Sequence, residues 1–117
     1  MILGVVGSRE EISENIVRAS LNMMKSKIDK VITGGARGVD TYAINWCKEN
    51  NIHYEVIRPI NETIKINYLY RNIEIITMCD RLLIFWNGKS KGTEFVINYA
   101  EKRNKLFKVV SDLKGEK

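Results

Sequence analysis

The chain has 117 residues, 44% of them hydrophobic and 28% charged, with a formal net charge of +5. This suits one domain with one core, expected over residues 1–110 with 111–117 as a flexible basic tail, and excludes low-complexity and coiled-coil classes. No apolar run approaches the ~18–20 residues of a membrane span. Met1–Val6 is too short for a signal-peptide core, so a cytoplasmic protein with no membrane partner is expected. Cys47 and Cys79 lack metal-ligand spacing and are read as reduced core thiols, with no metal expected. The basic balance favours a polyanion only modestly, because much of it lies between Lys102 and Lys117, where charge is ordinarily solvated.

Ile2–Val6 reads as a buried strand ending in Gly7-Ser8-Arg9. Ile12, Ile16, Ala19 and Met23 then recur at helical spacing, with Ser8 and Glu11 placed to form a capping box. Val31–Thr33 is a second strand, followed by Gly34-Gly35-Ala36-Arg37-Gly38. Val39, Ala43, Trp46 and Cys47 make the buried face of a second helix, which Asn50-Asn51 ends. Ile52–Ile57 is a third strand, stopped by Arg58-Pro59. Ile66, Leu69, Ile73 and Ile76 mark the inner face of a third helix. Arg81–Trp86 is a fourth strand and Asn87–Thr93 the loop after it. Val96, Tyr99, Ala100 and Arg103 line one side of a fourth helix, before a fifth strand over Leu106–Val110.

This β-α alternation implies an α/β fold with about five mostly parallel strands and helices on both faces. Right-handed crossovers bring the carboxyl ends of the strands to one edge, where such sheets bind ligands. The glycine-rich loops after strands one, two and four all leave from that edge.

Three glycines among residues 34–38 are costly unless backbone geometry requires them. Gly34, Gly35, Arg37 and Gly38 therefore read either as a phosphate loop or as a site of close helix–strand packing. Asp40 serves equally well as a helix-start carboxylate or as a partner for a ribose hydroxyl. Gly7, Ser8 and Arg9 form a turn with a hydroxyl and a guanidinium, a weak signal alone. Ser90 or Thr93 caps the fourth helix, whose Gly92 and Thr93 N–H groups suit an anion. Arg71-Asn72 beside a core face suggests a site wall, the bland alternative being a pair with Glu74. His53 reads as a structural or surface residue, and no catalytic residue is assigned.

Taken in order, Gly7-Ser8-Arg9, Gly34-Gly35-Ala36-Arg37-Gly38-Val39-Asp40, Arg71-Asn72 ahead of Asp80, and Ser90 with Gly92-Thr93 resemble the SLOG superfamily, named for the Smf/DprA and LOG proteins. The resemblance implies a three-layer Rossmann-like fold, most similar to small stand-alone bacterial or phage members. It also implies a nucleotide-like ligand at the carboxyl edge with no separate cofactor, and a homo-oligomer such as a dimer. Its DprA branch binds single-stranded DNA. Its LOG branch, phosphoribohydrolases, uses an arginine resembling Arg71 and a glutamate at the position held here by Val96. Glu94 stands roughly 200° round the helix from that position, at about 100° per residue, so it is no simple substitute.

The expectation is a nucleotide-binding or sensing module that uses Gly7, Ser8, Arg9, Gly34, Gly35, Arg37, Gly38, Asp40, Arg71, Asn72, Ser90, Gly92, Thr93 and Glu94. The alternatives are an N-glycosidic hydrolase or glycosyl-transfer enzyme, and a single-stranded nucleic-acid binder with Tyr68, Tyr70, Trp86 or Tyr99 as stacking surfaces.

Overall fold

The structure, a computed structural model, describes residues 1–111. Strands β1 (Ile2–Gly7), β2 (Lys30–Thr33), β3 (His53–Val56), β4 (Arg81–Phe85) and β5 (Leu106–Val110) form one parallel sheet in the order β3-β2-β1-β4-β5. The inner strands read as unbroken apolar runs because both of their faces are covered. The edge strands β3 and β5 carry exposed positions and have no fully buried one.

Helices α1 (Glu14–Met24) and α2 (Val39–Asn50) cover one face, while α3 (Ile66–Met78) and α4 (Lys91–Lys102) cover the other. A core cluster forms under each pair, giving the expected three-layer α/β/α architecture. The strand order reverses direction at β1. A crevice therefore opens at the carboxyl ends of β1 and β4, where the connections diverge to opposite faces.

Several local expectations are corrected. Helix α1 is capped by Ser13, whose Oγ accepts from the Ile16 N–H at 3.2 Å, so no Ser8–Glu11 capping box forms. The chain first makes an excursion through residues 8–13, in which Glu11 takes φ +67° and Ile12 is already buried. The inner face of α1 is Val17 and Leu21, with Ile16 and Met24 packed beside it, while Ala19 is exposed and Met23 is 82% exposed. Burying that set removes more apolar area from water than burying Ala19 and Met23 would.

Helix α2 matches its expected face, and Asn51 ends it in the left-handed conformation, φ +58°. Helix α3 is rotated from expectation: Arg71, Asn72, Ile75 and Ile76 face inward, and Ile66 is 48% exposed. Apolar periodicity cannot place an arginine inside. On α4 the buried residues are Thr93, Val96 and Ala100, and Arg103 is the C-cap, lying over the Tyr99 ring at 4.9 Å rather than lining the inner face.

Cys47 and Cys79 are unpaired and buried in separate clusters, and burial raises both thiol pKa values, that of Cys47 to about 11. Among the described residues, no helix is long and apolar enough to cross a membrane, and no group of His, Cys, Asp and Glu is placed to hold a metal. The expected 111–117 tail lies, beyond Ser111, outside the described residues.

Candidate functional site

A cleft of about 450 Å³ opens at the carboxyl ends of the sheet, bounded by the segments after β1, β2 and β4 and by α3. A second hollow of about 230 Å³ adjoins it, sharing Arg9, Gly34, Ala36, Tyr68 and Arg71. Of the sequence-predicted residues, Gly7, Arg9, Gly34, Asp40, Arg71, Asn72, Ser90, Gly92 and Thr93 line the larger cleft. Gly35 and Arg37 line the smaller one.

The remaining three stand elsewhere. Ser8 is 2% exposed and stitches two loops together beneath the cleft. Its N–H donates to the Phe85 carbonyl at 2.9 Å, and its Oγ accepts from the Asn87 N–H at 3.0 Å. Gly38, at φ +83°, lets the second loop pack on the first, since a Cβ there would lie 2.5 Å from the Arg9 carbonyl oxygen. Glu94 lies outside the cleft lining, 4.0 Å from Lys91 Nζ.

Arg71 is the centre of the arrangement. Its Nη1 donates to the Gly34 carbonyl at 2.6 Å, and its Nε donates to Asn72 Oδ1 at 2.8 Å. Those two bonds, rather than a pair with Glu74, make its burial tolerable. A Cβ on Gly34 would collide with this guanidinium, so the glycine is the space Arg71 occupies. Arg9 and Arg71 both lie over the Tyr68 ring, at 5.5 and 5.6 Å from its centroid. Burial pulls the Arg71 pKa down; Asp40 opposes the fall and the neighbouring Arg9 adds to it. Among the described residues, neither arginine makes an ion pair.

The helix start at α4 has one of its two expected caps, but the Thr93 amide is not free for an anion. Ser90 is the N-cap, and its Oγ already accepts the Thr93 N–H at 3.3 Å. The Thr93 hydroxyl also lies 3.1 Å from Ser90 Oγ, so both polar groups of Thr93 are engaged by the cap. Asn87 shapes the loop, its Oδ1 accepting from the Lys89 and Ser90 N–H groups at 2.9 Å each. At the mouth, Arg37 pairs with Glu10 at 3.1 Å and Lys89 with Glu11 at 3.3 Å.

Sequence reasoning missed Asn87, Glu10, Glu11 and Ile75 as lining residues, and placed Tyr68 only among stacking surfaces. Tyr68 precedes Arg71 by one helical turn, a spacing that puts both side chains on one face and was the available signal. Tyr70, Trp86 and Tyr99 do not line the cleft. The Trp86 indole instead donates to the Ser90 carbonyl at 3.0 Å.

Neither a family model nor a curated protein matches the chain. Solved structures do. DNA processing protein A from Streptococcus pneumoniae superposes with a TM-score of 0.82 over 94% of this chain, at 15% identity. The fold is that of the matched half of DNA processing protein A. The Helicobacter pylori protein of that name, described by its single-stranded DNA binding mode, gives 0.79 over 99% at 19% identity. This chain spans 50% of the first of those chains and 67% of the second. At these identities the likeness is one of fold.

Proposed function

We propose that this chain is a SLOG-type binding module that holds a nucleotide, with its phosphate against Arg9 and Arg71. The observation that carries this reading is the convergence of those two guanidiniums on Tyr68, with neither in an ion pair among the described residues. Like charges gathered at a partly buried wall repel, and a phosphate relieves the repulsion while accepting their charge-assisted hydrogen bonds. The cleft volume of about 450 Å³ suits a ligand of nucleotide size.

Holding is favoured over cutting. Val96, where LOG-type enzymes have a glutamate, is fully buried in the core, and Glu94 does not line the cleft. An oxocarbenium-like centre needs a facing carboxylate; neither position supplies one, and a cutting enzyme would have to use Asp40 in the cleft wall instead.

Titration calorimetry with the four ribonucleoside 5′-monophosphates tests the reading. Saturable binding of at least one is the expected outcome. Absence of heat and of competition across the set, at millimolar ligand, would sink it.

A second reading, single-stranded DNA binding, is favoured by the shared fold and by the adjoining hollow, which Arg37 and Arg58 extend along the sheet edge. In that case a mononucleotide binds weakly, an oligonucleotide tightly, and log Kd rises steeply with log salt. Salt-insensitive mononucleotide binding decides for the first reading.

A further inference from the structure

Asp40 opens α2, but the helix dipole accounts for little of its setting. The side chain is 6% exposed and reaches the cleft wall. Its Oδ2 accepts from the Ala36 N–H at 3.1 Å, while its Oδ1 has no hydrogen-bond partner among the described residues. Of the neighbouring donors, Thr33 and Arg71 have other partners, while the Gly34 N–H and the Arg71 charge act on the carboxyl from close by. The Thr33 hydroxyl donates to the Val5 carbonyl at 2.9 Å, and Arg71 donates to Gly34, Ile57 and Asn72. Burial accordingly pushes the Asp40 carboxyl above the usual carboxylate range.

A buried carboxylate oxygen left without a donor is among the most unfavourable polar arrangements a fold retains, and such atoms call for a partner that arrives from outside. The cleft is the open side from which one can arrive. While Asp40 is ionised, a phosphate oxygen cannot be that partner, since acceptor would face acceptor. We infer that Asp40 Oδ1 receives a hydrogen bond from a donor group of the bound nucleotide, either a sugar hydroxyl or a base N–H, and so selects the non-phosphate end of the ligand. The inference rests on the nucleotide reading of the cleft. It divides the labour: the arginine pair takes the anion, and Asp40 rejects ligands that are acceptors throughout, such as inorganic polyphosphate.

Asp40→Asn tests this directly. Its amide keeps the Ala36 donor by turning its oxygen towards it, which places an NH₂ group where Oδ1 stood. Dissociation constants are measured, for the wild-type chain and the variant, with three probes. These are the tightest-binding ribonucleoside 5′-monophosphate, its 2′,3′-dideoxy counterpart and ribose 5-phosphate. The variant is expected to weaken donor-bearing probes roughly 10–100-fold and to leave the probe without the donor within about twofold.

If the donor is a sugar hydroxyl, the dideoxy probe is the unaffected one. If it is a base N–H, ribose 5-phosphate is. Equal weakening of all three, or weakening of none, overturns the inference while leaving the nucleotide reading intact. Failure of the wild-type chain to bind any ribonucleoside monophosphate overturns both. Should the asparagine variant not fold, Asp40→Ala reads the same differences.

Discussion

Two sets of cations face the cleft, and the protein treats them in opposite ways. At the mouth, Arg37 and Lys89 are exposed and each is already paired with a glutamate of the β1–α1 segment. Further in, Arg9 and Arg71 share one tyrosine and no carboxylate. Exposed pairs of the first kind are worth about 0–1 kcal/mol and fade with salt. The second kind holds like charges close together, and at Arg71 the nearby Asp40 offsets part of that repulsion. Net charge, the coarse clue available from composition, counts both sets equally and so points at neither.

The sharpest way to break this comparison is Arg71→Ala. It removes the proposed phosphate contact and leaves the Gly34 carbonyl without its 2.6 Å donor. Nucleotide affinity should fall by roughly 100-fold or more, with about 1–3 kcal/mol lost from stability, read by calorimetry and urea unfolding. Arg9→Ala should cost roughly tenfold in affinity and leave unfolding unchanged, because this side chain is exposed and its partner is an aromatic face. Equal effects of the two variants on stability would contradict the contrast between a buried Arg71 and an exposed Arg9.

Next comes the pH dependence of Asp40. Its folded pKa lies above the unfolded value, so it favours folding below the unfolded pKa and loses that contribution as pH rises through the folded one. Asp40→Asn should therefore melt higher than the wild-type chain at neutral pH, and the gap should narrow as the buffer is taken down towards about pH 4. A gap independent of pH would remove the buried charge from the account. The smallest effect belongs to the mouth: Lys89→Ala and Arg37→Ala should each change mononucleotide affinity by less than about threefold at physiological salt.

The sheet was legible because inner parallel strands are buried on both faces and leave continuous apolar runs such as Leu82–Phe85. The cleft's location was legible because parallel topology sends every glycine loop to one edge. What stayed hidden was set by partners distant in sequence. Arg71 is inward because of a carbonyl on β2's loop, which no periodicity on α3 records. Ser8 looked like a local helix cap, yet its hydroxyl is bound 79 positions away at Asn87. The inner face of α1 was misread because Ala19 and Met23 fit the helical period as well as Val17 and Leu21 do, and packing bulk decided between them.

That Ser8 contact has a mechanical consequence. With its amide on Phe85 and its hydroxyl on Asn87, the segments after β1 and β4 are clamped into one body. The cleft is thus a vice with one fixed jaw, which faces the side where β2's loop and residues 58–65 meet Tyr68 and Arg71. A ligand seated against the fixed jaw pays little ordering entropy there, so contacts made on that side convert to affinity with small loss.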